Sequence, residues 1–153
     1  RSGRIFLSHT ALGGRTTIRV SIGNPRTRID HVRLCWRLLR EAAAATGPLL
    51  QKSLRSLEFL PAVGDVRGLG MLAAVEFVAD KKTRQPLVKW NAMGADAAVS
   101  REINKRLLEG GVYTTVRWNF LFAVPPLCIK EDELREGLRV IDKVLDYADA
   151  QAG

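Results

Sequence analysis

Residues 63 to 78, Val-Gly-Asp-Val-Arg-Gly-Leu-Gly-Met-Leu-Ala-Ala-Val-Glu-Phe-Val, constrain the fold more than any other stretch of the chain. Gly64, Gly68 and Gly70 punctuate a first strand and permit the positive dihedrals and close chain approach of a tight reversal. From Met71 to Val78 the chain is apolar with one polar interruption, Glu76, and reads as a second, buried strand. Strands this apolar call for cover on both faces.

Other elements can be placed around this pair. Arg4 to Thr10 and Thr16 to Ile22 alternate as strands, with Gly13-Gly14 supplying the turn of a hairpin. Asn24-Pro25 breaks the second strand, and Thr27 with Asp30 marks a helix start. Apolar residues at Ile29, Val32, Trp36, Leu39 and Ala43 share one face of that helix. Gly47-Pro48 is read as the start of a second helix carrying Leu50, Leu54 and Leu57, which Pro61 ends. Residues 79 to 93, with Lys81, Lys82, Arg84 and Pro86, are expected to form an exposed loop. A third helix is predicted from Gly94 to Glu109, stopped by Gly110-Gly111. Strands at Val112 to Val116 and Asn119 to Val124 follow, then a helix from Glu131 to Ala148 with Leu134, Leu138, Ile141, Leu145 and Ala148 facing inward. Its first turn is acidic, which suits the positive helix end, but Lys130 at the cap position cannot accept a hydrogen bond. These elements make an α/β chain of the two-layer α+β kind: a small antiparallel or mixed sheet with helices packed on one face.

Charge is distributed unevenly. Of the formal net charge of +8, all resides in residues 1 to 40, which hold nine arginines, no lysine and the single acid Asp30; the remainder balances to zero. A basic segment invites a nucleic-acid reading, but the arginines are spread over two strands and a helix without a groove-inserting or base-stacking motif, so nucleic acid is not the expected partner. Cys35 and Cys128 lie far apart without ligand or redox spacing, and both are read as reduced core residues in a cytoplasmic protein. No apolar run is long enough to span a bilayer, and no membrane partner is expected. The chain begins with Arg1, so a native start is expected to precede it.

Two resemblances sharpen the picture. The stretch from Val63 to Val78, then Gly111-Val112-Tyr113-Thr114-Thr115-Val116-Arg117-Trp118-Asn119 and Val124-Pro125-Pro126-Leu127, resembles in order and spacing the C-terminal small domain of class III, omega-type, aminotransferases, over about residues 47 to 150. The Arg-Trp-Asn variant is most similar to the taurine–pyruvate and beta-amino-acid branches. Ile5-Phe6-Leu7-Ser8-His9-Thr10, the turn at residues 12 to 15 and Thr17 to Thr27 resemble instead the closing segment of aromatic-amino-acid decarboxylases. Both families use pyridoxal phosphate. The expected division is therefore a decarboxylase-like hairpin and helix at 1 to 43 and an aminotransferase-like small domain at 44 to 153, joined near the alanine run at 42 to 45. The fold implied is the small domain of fold-type I pyridoxal-phosphate enzymes.

The resemblance also says what chemistry to look for. Pyridoxal-phosphate catalysis needs a lysine to hold the coenzyme, an acid against its ring nitrogen and a phosphate cup, and in both families these belong to a large domain. Lys52, Lys81, Lys82, Lys89, Lys105, Lys130 and Lys143 all fall on expected helix surfaces, helix ends or loops, outside any Schiff-base context. His9 and His31 lack triad or ligand spacing, so no catalytic, cofactor-binding or metal-binding residue is assigned. Gly64, Gly68 and Gly70 lack the lysine and helix of a phosphate loop. Asp65 and Glu76, on consecutive strands, are expected to bond Arg67 or solvent.

One residue carries over. The resemblance implies that Arg117 binds a substrate carboxylate, since a guanidinium offers two parallel donors to a planar acid. The alternative is an arginine at a strand end stacked on Trp118 or Trp90. The implied parent reaction moves an amino group from an omega-amino donor to a 2-oxo acid such as pyruvate, and this chain alone is expected to be inactive and not to bind the coenzyme. Small-molecule donors and acceptors would then be partners only with a large domain present. The second reading is a non-catalytic module whose exposed apolar face binds a partner or forms a homo-oligomer.

Overall fold

In the computed structural model of the chain, which describes residues 8–12, 15–19 and 25–152, the contacts divide the polypeptide into two units, Arg1–Ala42 and Ala43–Gly153. The first holds an antiparallel hairpin of β1 (Ser8–Leu12) and β2 (Arg15–Arg19), in register from Ser8 opposite Arg19 to Leu12 opposite Arg15. Of the strands expected at Arg4 to Thr10 and Thr16 to Ile22, residues 4–7 and 20–22 lie outside the described residues, as does the expected Gly13-Gly14 turn. After it comes α1 (Ile29–Arg55), which starts in the first unit and ends in the second.

Helix α1 departs from expectation twice. It runs through Gly47-Pro48 as one helix, where two had been predicted. Pro48 removes one backbone donor, but Pro48 and Ala44, whose carbonyl loses its partner, are both exposed, so water can take the vacant bond. Leu50 and Leu54, fully buried two and six residues later, hold the helix on course. Its first half is also rotated: Ile29 and Trp36 are exposed, whereas Cys35 is buried and Val32, Leu39 and Ala42 are half-buried. Positions 32, 35, 39 and 42 satisfy the 3.6-residue period as well as 29, 32, 36 and 39 do, and spacing alone does not choose between adjacent arcs.

The second unit is built on a sheet of β3 (Val63–Leu69), β4 (Leu72–Asp80), β5 (Gln85–Pro86), β6 (Thr115–Arg117) and β7 (Phe120–Ala123). Strand order is β3-β4-β7-β6, every pairing is antiparallel, and β5 pairs with the far end of β4. The β3–β4 reversal passes through Gly70 at φ +60°, a conformation that costs a glycine little. A 3₁₀ turn (Gly94–Ala97) leads into α2 (Ala98–Glu109), so the predicted third helix is α-helical only from Ala98. Helix α2 closes with Gly111 at φ +87°, the Gly111 N–H bonding the Leu108 carbonyl and the Val112 N–H the Leu107 carbonyl, which is a Schellman ending. Helix α3 (Glu131–Asp149) follows. The Lys130 ammonium has no lone pair to offer its first turn, and the closure comes from the other side: Glu133 accepts the Lys130 backbone N–H at 3.0 Å.

The core lies on one face of this sheet. Val66, Val75, Phe77 and Leu121 meet Leu50, Leu54, Ile103, Leu107, Leu134, Leu138, Ile141 and Leu145 from the helices, and each such side chain withdrawn from water contributes about 1.5–3 kcal/mol. The alternate residues of the strands, among them Arg67, Leu69, Leu72, Phe120, Phe122 and Arg117, are exposed or half-buried. Cover on both faces, the expectation for so apolar a strand pair, is therefore not what the described residues provide. Strand β4 reads as apolar partly because Leu72 and Ala74 stand in its outward row. Two smaller corrections concern side chains. Cys128 is exposed rather than a core residue, and the segment from 79 to 93 is not wholly loop, since it contributes β5 and the buried Val88.

Candidate functional site

The outer face of the sheet carries two arginines with opposite circumstances. Cross-strand pairing sets Asp65 opposite Glu76, Glu76 opposite Phe120, and Phe120 opposite Arg117, so these four form one row across the sheet. Arg67 is neutralised there: its Nε lies 2.9 Å from Asp65, its Nη2 bonds Glu76, and its Cζ stands 5.8 Å from the Phe120 ring centroid. The two carboxylates thus do bond Arg67, as expected from their adjacent strands. Arg117, at the end of β6, has no carboxylate partner among the described residues. An acidic ligand arriving at this face therefore meets one uncompensated guanidinium.

The turn beside Arg117 is unusually well held. Trp118 and Asn119 form the two-residue connection between β6 and β7, with Trp118 at φ +53°. A bulky residue in that region stores about 1–3 kcal/mol of strain and persists only where neighbours fix it. Here the Trp118 carbonyl accepts from Ser100 Oγ at 2.7 Å, and the Asn119 carbonyl accepts from the Phe77 N–H at 2.7 Å. The buried Asn119 side chain donates to Glu76 Oε1 at 3.4 Å. The Trp118 indole lies against Trp90, ring centroids 3.8 Å apart and planes at 45°.

Arg117 rests on this platform, its Cζ 4.5 Å from the Trp118 ring centroid. The strand-end stacking weighed for Arg117 is therefore present. It does not exclude carboxylate binding, because a ring contacts the face of a guanidinium while its N–H donors point outward in the plane. The sequence offered Trp118 as a stacking partner, but nothing in it signalled the role of Ser100 or the left-handed turn, which come from tertiary structure.

The remaining candidates are dispersed. His9 lies in β1 opposite Ile18; His31 is exposed on α1, its Nδ1 accepting the Arg28 N–H at 3.3 Å. Among the described residues no three His, Cys, Asp or Glu side chains gather as a metal site, and no helix is long and apolar enough to cross a membrane. Gly64 and Gly68 lie within β3 and Gly70 in the turn after it, with no helix N-terminus following. A largely apolar cavity of about 430 Å³ opens between α3 and the segments 110–114 and 123–126, with Glu133 and Glu136 among its lining residues. The seven lysines are all exposed. A lysine that holds an aldehyde coenzyme is activated by desolvation or a neighbouring cation, so the lysines of this chain do not fit that task.

Comparison with known proteins identifies the family of the chain. The family profile described as aminotransferase class III matches residues 34–145. The putrescine–pyruvate aminotransferase of Pseudomonas aeruginosa is 30% identical over 150 residues, covering 98% of this chain and 30% of its own. Tryptophan decarboxylase 2 of Oryza sativa is 50% identical over 42 residues, 28% of this chain and 8% of its own, in keeping with the second resemblance. Among solved structures, the taurine:2-oxoglutarate aminotransferase of Bifidobacterium kashiwanohense, in complex with PLP and glutamate, superimposes with a TM-score of 0.71 at 25% identity, over 80% of this chain and 27% of that one. The chain thus spans less than a third of the length of each of these relatives. With the fold of a fold-type I small domain and a profile match across most of its length, this chain belongs to the class III aminotransferase family.

Proposed function

We propose that residues 43–153 act as the small domain of a class III aminotransferase, contributing Arg117 as the group that receives a substrate carboxylate, while a large domain supplies the coenzyme-holding residues. The observation that carries this reading is the contrast between the two arginines of the outer sheet face, Arg67 paired to Asp65 and Glu76, and Arg117 without an acidic partner among the described residues. The parent reaction is transfer of an amino group from an omega-amino donor to a 2-oxo acid such as pyruvate, and the 153-residue chain does not carry it out unaided. The two free cysteines suit a reducing, cytoplasmic setting.

What these residues do in such a site is electrostatic. Arg117 would take the carboxylate by two parallel N–H donors and fix the orientation of the acid. Because the lysines are exposed, no proton transfer or covalent step is assigned to this chain.

Two measurements test the reading. Titrating pyruvate into chain labelled at arginine side chains should shift the Arg117 Nε–H resonance and leave that of Arg67 in place; equal movement of both would remove the basis for choosing Arg117. Mixing the chain with pyridoxal phosphate should yield no lysine-linked absorbance band. A band that borohydride fixes to a lysine, with amino exchange between putrescine and pyruvate, would show that the chain is a catalyst by itself.

A second reading, a homo-oligomerising module, draws on the exposed apolar residues Leu69 and Leu72 at the end of the β3–β4 hairpin. Sedimentation across a hundredfold concentration range distinguishes them: a monomer throughout leaves this second reading without support.

A further inference from the structure

We propose that Trp118 is the positioning residue for Arg117, and that its left-handed backbone is retained because the indole is needed there rather than because the turn needs it. This deepens the reading of Arg117 given above and rests on it. A two-residue hairpin connection with positive φ at its first position suits glycine or asparagine, which adopt that region at little cost; tryptophan does not. Yet this chain puts tryptophan at φ +53° and asparagine after it. Strain kept at one residue while three separate contacts hold that residue in place is what a positioning device requires.

The contacts come from three directions. Ser100, buried at the start of α2, donates to the Trp118 carbonyl at 2.7 Å and fixes the backbone. Trp90, from the segment after β5, packs on the indole. On the ring lies the Arg117 guanidinium, Cζ 4.5 Å from the centroid. A five-donor, rotamer-rich side chain on an otherwise exposed strand end thus has a ring to lie on before any acid arrives. An arginine ordered in advance loses less rotamer freedom on binding a carboxylate, which gains affinity without a new contact. Phe120, directly across from Arg117 on β7, has its ring next to Arg67 instead, so the Trp118 indole is the platform closer to this guanidinium.

The test uses the 153-residue chain labelled with ¹⁵N at arginine and reads the heteronuclear NOE of the Arg117 Nε–H, with exposed Arg84 as the mobile standard. The wild type should give a rigid value. Trp118→Asn should drop Arg117 to the Arg84 level while the melting temperature holds or rises, since relief of backbone strain offsets the lost ring contact. Trp118→Phe, which keeps a ring, should retain most of the order. Trp90→Ala and Ser100→Ala, which loosen the clamp without altering the turn residue, should give intermediate values and serve in place of Trp118→Asn if that variant does not fold. An Arg117 that is as mobile in the wild type as Arg84, or equally rigid in Trp118→Asn, overturns the proposal. Pyruvate separates this from the functional reading: Trp118-dependent order with no pyruvate response at Arg117 would end carboxylate binding and leave the positioning intact. A pyruvate response that is the same in wild type and Trp118→Asn would do the reverse.

Discussion

Gln51 of α1 donates from Nε2 to the carbonyl of Gly70 at 2.9 Å, and from the same nitrogen to the carbonyl of Leu72 at 3.1 Å. One amide therefore ties the helix to both sides of the β3–β4 reversal. The contact is close because Gly47, one turn earlier, lets the backbones approach: a methyl there would sit 3.1 Å from the Gly70 Cα. Gln51→Leu leaves two carbonyls without this donor and should destabilise the second unit by about 1–3 kcal/mol. Gln51→Glu should cost more at neutral pH, because it presents a carboxylate oxygen where an N–H stood. Urea denaturation of the two variants checks the order, and equal midpoints for both would show that the hydrogen bonds are not what holds the reversal.

The two faces of the sheet should respond differently to truncation. Leu121 is 1% exposed on the inner face and Leu69 is 87% exposed at the β3–β4 reversal. Leu121→Ala opens a cavity and should cost about 2–5 kcal/mol, whereas Leu69→Ser should stay within about 0.5 kcal/mol of wild type. Denaturation midpoints decide it. A large loss for Leu69→Ser would mean that the outer face is covered in solution.

Pro48 sits exposed inside α1 with no backbone donor for the Ala44 carbonyl. Pro48→Ala restores the bond on the solvent side without touching the buried Leu50 and Leu54. Up to about 3 kcal/mol of helix stability is available from this change, and a higher melting temperature is the expected result. A lower one would indicate that the proline itself sets where Leu50 and Leu54 enter the core.

The helix start at Asp30 gives a pH signature. Arg28 donates to Asp30 from Nε at 3.0 Å and from Nη2 at 2.8 Å, and this holds the Asp30 carboxyl below the usual aspartate range. A depressed carboxyl contributes stability that is complete above its ordinary pKa and fades as pH falls through the lowered one. Both groups are fully exposed, so the effect is small and local. NMR titration of Asp30 should show a midpoint below that of a free aspartate, and Arg28→Gln should move it upward; an unchanged midpoint in the variant would assign the shift to the helix end instead.

Much of the second unit was legible in the sequence because its signals are local. Glycine spacing at 64, 68 and 70 located the β3–β4 pair, Gly110-Gly111 the end of α2, and the periodic leucines the inward side of α3. The misreadings share a cause: where a local rule left two outcomes open, packing chose. Leu50 and Leu54 carried α1 past Pro48, and a neighbouring apolar arc centred on Cys35 replaced the one containing Trp36. Arg117 could be singled out by its motif, yet the isolation that makes it a candidate depends on Arg67 having taken both nearby carboxylates. That pairing follows from strand register, which the spacing of residues did not fix.

Strand β4 has hydrogen-bonded neighbours along both of its sides, β3 on one, β7 and then β5 on the other. Its Ala-Ala-Val-Glu-Phe-Val segment, the stretch richest in fibril-prone character, is thereby denied to any other molecule seeking a backbone ladder. Among the described residues, the rims of this sheet are β6, three residues long, the two-residue β5, and β3, interrupted by a bulge near Gly64 and carrying the charged Arg67. Short, kinked or charged margins are poor templates for templated growth. Strand-to-strand growth involving β4 should consequently begin only after the second unit has opened and released it, and not by edge addition to its native sheet.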